Sequence, residues 1–144
     1  GAVFLCRSTD GGETWSMPQT TGLKAPESCT CLRCIPGSDH LILLWNDSLY
    51  DMDHHHYGSR TPLSIALSKD RGESWTKVAD LAHREKFSFT NLGCDFVTDD
   101  QSVVTYAAYG PERVRERSRY DWHNPDVFDL HAVVVNRDWI FQER

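Results

Sequence analysis

The segment "DMDHHHYGSR", residues 51–60, is dense in side chains able to do chemistry. Asp51, Asp53 and the consecutive His54, His55 and His56 give five possible ligands in six residues. Carboxylate and imidazole together are metal-ligand chemistry. Adjacent residues of an extended loop point in different directions, so few of them converge on one ion. The segment therefore reads as a solvated loop rather than a metal site. A second set is "CTCLRC", with Cys29, Cys31 and Cys34. Structural zinc wants two ligand pairs, and no second pair accompanies this one. These thiols read as small buried side chains, Cys29 and Cys31 sharing one face of a strand. A third set is "RVRERSR", which places Arg113, Arg115, Arg117 and Arg119 at alternate positions. On a strand they form one cationic face, an anion site or an interface patch. Glu112, Glu116, Asp121 and Asp126 partly neutralise it. None of the three patterns calls for a metal or a cofactor.

Something has to hold such residues in place, and the sequence shows a repeated device. "STDGGETW" at residues 8–15 returns as "SKDRGESW" at residues 68–75, with five of eight positions identical. Asp10 and Asp70 are expected to accept backbone N–H bonds inside a tight turn. Gly12 and Gly72 take positive φ without a Cβ clash. Ser8 and Ser68 offer a hydroxyl to a backbone group. Trp15 and Trp75 bury a large ring at the sheet edge. The octets thus read as structural locks rather than reactive sites.

The rest of the chain supplies strands. Apolar runs of strand length occur at residues 2–8, 28–35, 40–46, 61–68, 87–97, 102–109 and 128–136, with short runs leaving each octet at 14–19 and 74–81. "HLILLWN" is continuously apolar, as a strand buried on both faces would be. Almost nothing reads as helix; "PERVRERSR" carries no apolar stripe. Short strands separated by turn residues predict an all-β sandwich, barrel or propeller. Self-similarity selects a stacked unit among them.

Composition narrows the function classes. A chain of 144 residues, 40% apolar and 25% charged, is a single globular domain. Its net charge of -6 argues against nucleic acid as a partner. No apolar stretch approaches the ~20 residues that span a bilayer, so no membrane role is expected. Five cysteines, an odd number, leave at least one thiol unpaired.

The octet resembles the Asp-box, the Ser-x-Asp-x-Gly-x-Thr-Trp repeat of sialidases and related BNR-repeat proteins. "LLWND" with "RTPLSIALSKDRGESW" resembles the stretch of that family in which Asn follows an aromatic residue and Arg-x-Pro-Leu opens the strand before the box. "FSFTNLGCDFVTDDQSVVTY" resembles the first two strands of the following blade, and "LHAVVVNRDWIF" resembles the family's C-terminal strand. The resemblance implies a sialidase-type β-propeller, a six-bladed family, with the octet joining the third and fourth strands of a blade. The strands then run third-fourth, first to fourth, and first to third. That makes residues 1–144 a partial propeller of two to three blades, the C-terminal ones, either a fragment of a longer chain or a self-associating piece.

The resemblance also implies a glycan as partner. Sialidases hold a sugar carboxylate with arginines, and Arg60 matches the Arg of the Arg-x-Pro-Leu run. Asn46 and Asp47, after the inner strand, are expected to line the central face beside it and to join Arg60 in substrate binding. In the family the nucleophile lies in a Tyr-Ser-Tyr-Pro run, where this chain has Phe87-Ser88-Phe89-Thr90. Phe has no hydroxyl. Tyr106 and Tyr109 could stand in, Tyr106 as a weak catalytic candidate, but both sit in an ordinary strand pattern. The function expected is that of a glycan-directed sialidase-like protein, a glycoside hydrolase if the propeller is complete. The alternative is a noncatalytic module binding carbohydrate or protein.

Overall fold

A computed structural model describes residues 1–54, 57–110 and 129–142. Among the described residues nine strands run in chain order: β1 (Ala2–Leu5), β2 (Gln19–Lys24), β3 (Cys31–Cys34), β4 (Leu41–Asn46), β5 (Leu63–Ser68), β6 (Thr76–Ala82), β7 (Ser88–Phe96), β8 (Gln101–Tyr109) and β9 (Asp129–Asn136). Among the described residues one short helix, α1 (Arg137–Phe141), follows β9. The strands form three antiparallel sheets in sequence order: β1-β2, β3-β4-β5-β6 and β7-β8-β9. The all-β class is as expected, and so is the division of the strands into two, four and three. This arrangement is consistent with part of a β-propeller.

The middle sheet shows why "LILLW" needs no polar alternation. Successive strand side chains point to opposite faces. Ile42 and Leu44 join Leu63, Ile65, Phe89, Val104 and Tyr106 in one core cluster, shared with the last sheet. Leu43 and Trp45 join Val3, Ala25 and Ala66 in a second, shared with the first sheet. Each face of the middle sheet is thus covered by a different neighbour. Every residue of β5 and all but the first of β4 are buried. Each buried Leu or Ile contributes about 1.5–3 kcal/mol relative to exposure.

The two octets fold alike. The first joins β1 to β2, and the second joins β5 to β6, the third and fourth strands of the middle sheet. Asp10 Oδ1 accepts the Thr14 N–H at 3.0 Å, and Asp70 Oδ1 accepts the Ser74 N–H at 2.9 Å. The hydroxyls of Thr14 and Ser74 donate to the other carboxylate oxygen of the same Asp. Ser8 Oγ donates to Asp10 and accepts the Gly12 N–H at 2.8 Å, and Ser68 Oγ does the same with Asp70 and the Gly72 N–H at 2.7 Å. Gly12 and Gly72 stand at φ 95° and 86°, in the region a Cβ disfavours. The preceding position is also left-handed in both copies, as Gly11 in one and as Arg71 with φ 59° in the other.

The two tryptophans part company. Trp75 packs against the Val3, Leu43 and Trp45 cluster, because the first sheet covers it. Trp15 is 63% exposed, contrary to the expectation of a buried ring, and its Nε1 donates to the Gly12 carbonyl at 3.0 Å. No sheet lies against it among the described residues, and the local turn alone cannot bury a ring.

Other expectations also shift. The strand leaving the first octet begins at Gln19, later than the 14–19 run suggested. β3 begins at Cys31, so Cys29 lies outside the strand and the two do not share a strand face. Cys31 and Cys94 are buried, whereas Cys6, Cys29 and Cys34 are exposed. All five are free thiols. The C-terminal run "RDWIF", expected to continue a strand, turns into α1. It does so because Ile140 is buried there, and Trp139 and Phe141 pack on the main core. The "RVRERSR" run, with Glu112, Glu116, Asp121 and Asp126, lies outside the described residues.

Candidate functional site

Arg60 closes the loop between β4 and β5, just before Pro62 and Leu63. Its main chain is fixed first. The Arg60 carbonyl accepts the Phe89 N–H and Asn46 Nδ2, both at 2.9 Å. These bonds set the loop end against the start of β7. The guanidinium is then oriented by two further partners. Nη2 donates to the Glu27 carbonyl at 3.1 Å, and Nη1 donates to Thr90 Oγ1 at 3.4 Å. The Nε–H is buried without a hydrogen-bond partner. A guanidinium carries five N–H donors, so most of the fork has no partner among the described residues. Cys29 Sγ lies 3.8 Å from Thr90 Oγ1 at the same junction. Arg60 thus sits where three segments meet: the stretch before β3, the β4–β5 loop and the start of β7.

Asn46 and Asp47 are near Arg60 in sequence but are occupied otherwise. Asn46 is fully buried, and its Nδ2 also lies 3.2 Å from the Phe89 carbonyl and 3.5 Å from that of Pro62. It supports the Arg60 main chain rather than facing a cleft. Asp47 pairs with Lys77 at 2.7 Å and with Lys24 at 3.7 Å. Lys77 also reaches Asp80 at 2.6 Å, and Asp80 accepts a bond from Ser64 Oγ at 2.6 Å. Burial pulls the Lys77 ammonium down, but its bonds to Asp47 and Asp80 outweigh burial and hold it above the usual range. Burial likewise raises Asp80, and Lys77 and Ser64 together outweigh it and keep the carboxyl low. This is a charge-balanced structural network.

Tyr106 lies in mid-β8 and is buried. Phe89 meets its ring edge-on at 5.7 Å, and His131 stacks on it at 5.1 Å. Burial pushes its phenol above the usual value, away from the phenolate that a nucleophile needs. Phe89 lies beside Arg60, its N–H bonded to the Arg60 carbonyl. Phe89 is buried, and Phe87 carries the Arg84 guanidinium over its ring at 4.1 Å.

Among the described residues no cluster of three or more His, Cys, Asp or Glu could hold an ion. Asp51 instead accepts the Asp53 N–H at 3.0 Å, and His55 and His56 lie outside the described residues. Sequence reasoning missed Glu27 and Thr90 as partners of Arg60. Glu27 acts through its carbonyl, which leaves no trace in residue type. Thr90 occupies the last position of the Phe-Ser-Phe-Thr run and was legible only as a departure from it.

A comparison with family models matches the BNR repeat-like domain over residues 1–118. The chain belongs to the BNR repeat-like family. No curated protein and no solved structure gave a match. In this BNR repeat-like chain, the match spans both octets, the first two sheets and the Arg60 junction.

Proposed function

We propose that this BNR repeat-like chain forms blades of a sialidase-type β-propeller and binds a glycan through the carboxylate of an acidic sugar. In this reading the octets are Asp-boxes that fasten the blade hairpins, and Arg60 is the anchor for the sugar. The observation that carries it is the state of Arg60. Its main chain is pinned by Phe89 and Asn46 and its side chain by Glu27 and Thr90, while Nη1 and Nη2 each keep a second N–H without a partner among the described residues. A pre-oriented fork with donors left over suits a planar carboxylate, which accepts two parallel N–H bonds.

The same surroundings favour binding over hydrolysis by this chain. The positions where a phenol nucleophile would stand are Phe87 and Phe89, and Tyr106 is packed between Phe89 and His131. Two measurements on the full chain test the proposal. Calorimetric titration with free sialic acid is expected to show binding that Arg60→Ala weakens at least tenfold. Incubation with a fluorogenic sialoside is expected to give no signal above a heat-treated control. Cleavage lost in Arg60→Ala would replace the binding reading with hydrolysis. Absence of both binding and cleavage would remove the glycan from the account.

A further inference from the structure

Arg84 stands in the β6–β7 loop, just past Ala82. Antiparallel strands place successive connections at opposite ends of a sheet. The second octet joins β5 to β6 at one end, so the β4–β5 loop and the β6–β7 loop both leave the middle sheet at the other. Arg60 and Arg84 therefore belong to the same end. A hydroxyl links their loops. Thr61, the residue after Arg60, donates its Oγ1–H to the Arg84 carbonyl at 3.3 Å, and its Oγ1 accepts the Arg84 N–H at 3.5 Å. The two main chains are thus one residue, ~3.8 Å along the chain, and one hydrogen bond apart.

The Arg84 side chain rests on a platform. The Phe87 N–H closes the loop on the Arg84 carbonyl at 3.2 Å. That turn carries the guanidinium over the Phe87 ring, 4.1 Å from its centroid. The ring is itself held in place. Phe89 lies beside it with centroids 6.4 Å apart, and a Cβ at Gly110 would come within 2.7 Å of it. Stacking uses the flat face of a guanidinium and leaves its in-plane donors for other groups. Those donors have no hydrogen-bond or ion-pair partner among the described residues. Arg84 is exposed, as are His83 and Lys86, and Glu85 is the one carboxylate of residues 83–87. The loop keeps an excess of positive charge.

We infer that Arg84 is a second oxyanion fork beside Arg60, and that the glycan bound there carries two anionic groups on neighbouring sugars; the inference rests on the proposed role of Arg60. One carboxylate pairs with Arg60. The second oxyanion, a carboxylate or a sulfate ester, pairs with the in-plane N–H edge of Arg84, since both present two acceptor oxygens to a fork. Phe87 keeps that fork ordered before the ligand arrives, so little side-chain freedom is lost on binding. Two forks fixed in this way select the spacing of the charges, which a diffuse positive surface does not.

The test uses the full chain and four probes: free sialic acid, sialyllactose with one carboxylate, disialyllactose with two, and 6-sulfated sialyllactose with a carboxylate and a sulfate ester. Calorimetric titration is expected to show at least one doubly anionic probe binding about tenfold tighter than sialyllactose. The probe that gains identifies the second oxyanion. Arg84→Gln is expected to remove the gain. Lys86→Gln changes the loop charge equally and is expected to keep it. Both side chains are exposed, so neither variant disturbs the core. Equal affinity for the three oligosaccharides, a gain that survives Arg84→Gln, or an equal loss in Lys86→Gln would each overturn the inference. A doubly anionic probe that binds through Arg84 while free sialic acid fails to bind would remove Arg60 as anchor and leave the fork standing. Sialic acid that binds through Arg60, with no gain from a second charge, would do the reverse.

Discussion

The side-chain nitrogen of Asn46 lies 3.2 Å from the carbonyl oxygen of Phe89, a bond that runs from the middle sheet to the last. The same nitrogen meets the Arg60 carbonyl at 2.9 Å. One buried amide therefore ties two sheets together and fixes the proposed anchor. Replacing Asn46 by Ala takes this donor from both carbonyls, leaves that of Arg60 with the Phe89 N–H, and opens a small void. A loss of about 1–3 kcal/mol is expected, read as a lower urea midpoint at unchanged slope. An unchanged midpoint would show that the bond carries no stability.

Arg60→Lys keeps the charge and removes the fork. A lysine ammonium is a point charge on a flexible stem. Titration with sialic acid is expected to show at least a tenfold weaker complex than the unaltered chain. Equal affinity would mean that charge alone suffices and that the pinned geometry is irrelevant.

Asp70 makes the second octet sensitive to acid. The Ser74 hydroxyl, the Ser74 N–H and the Ser68 hydroxyl hold its carboxyl at about 2, below the usual 3.8. Asp10 is lowered in the same way, first by Thr14. Lowered carboxyls stabilise the fold above their unfolded value and lose that contribution as pH falls toward the folded one. The octets are thus expected to contribute fully at pH 5 and to weaken from about pH 4 down toward 2. Asp70→Asn should lower the melting temperature at pH 7 and flatten its dependence on pH below 4. A parallel acid limb in the variant would count against the Asp70 bonds.

Tyr106 is a packing residue by its contacts. Tyr106→Ala is expected to cost about 3–5 kcal/mol, as truncation of a buried aromatic does. Tyr106→Phe should leave sialic acid binding unaltered. The raised phenol carries its own signature. A group whose folded pKa lies above the unfolded one stabilises below the unfolded value and loses this as pH rises. Ultraviolet titration should show one tyrosine ionising after the exposed ones. A Tyr106→Phe spectrum identical to that of the unaltered chain would refute it.

The cysteines divide by burial. Cys6, Cys29 and Cys34 are exposed, and Cys31 and Cys94 are buried. Burial pushes the Cys94 thiol up to about 11. A thiol reagent at pH 8 should label three sites quickly and the remaining two only on unfolding. Fast labelling of Cys94 would mean that the last sheet opens readily.

By itself the sequence determined the all-β class and the grouping of strands, because apolar runs of strand length broken by turn residues have few other solutions. It also determined both octet turns, since Ser, Asp and Gly at fixed offsets satisfy one another within a handful of residues. The tertiary structure alone decided which side chains became buried. Trp15 and Trp75 have the same local context, yet only Trp75 is covered, because a ring is buried by a neighbouring sheet and not by its own turn. Asn46 and Asp47 sit close to Arg60 in sequence, but long-range partners turned one into a tie and the other into a lysine counter-ion. The placing of Arg84 over Phe87 beside Thr61 left no pattern in the sequence either. It exists because a loop closes on Thr61, and closure depends on contacts between segments that residue spacing does not encode.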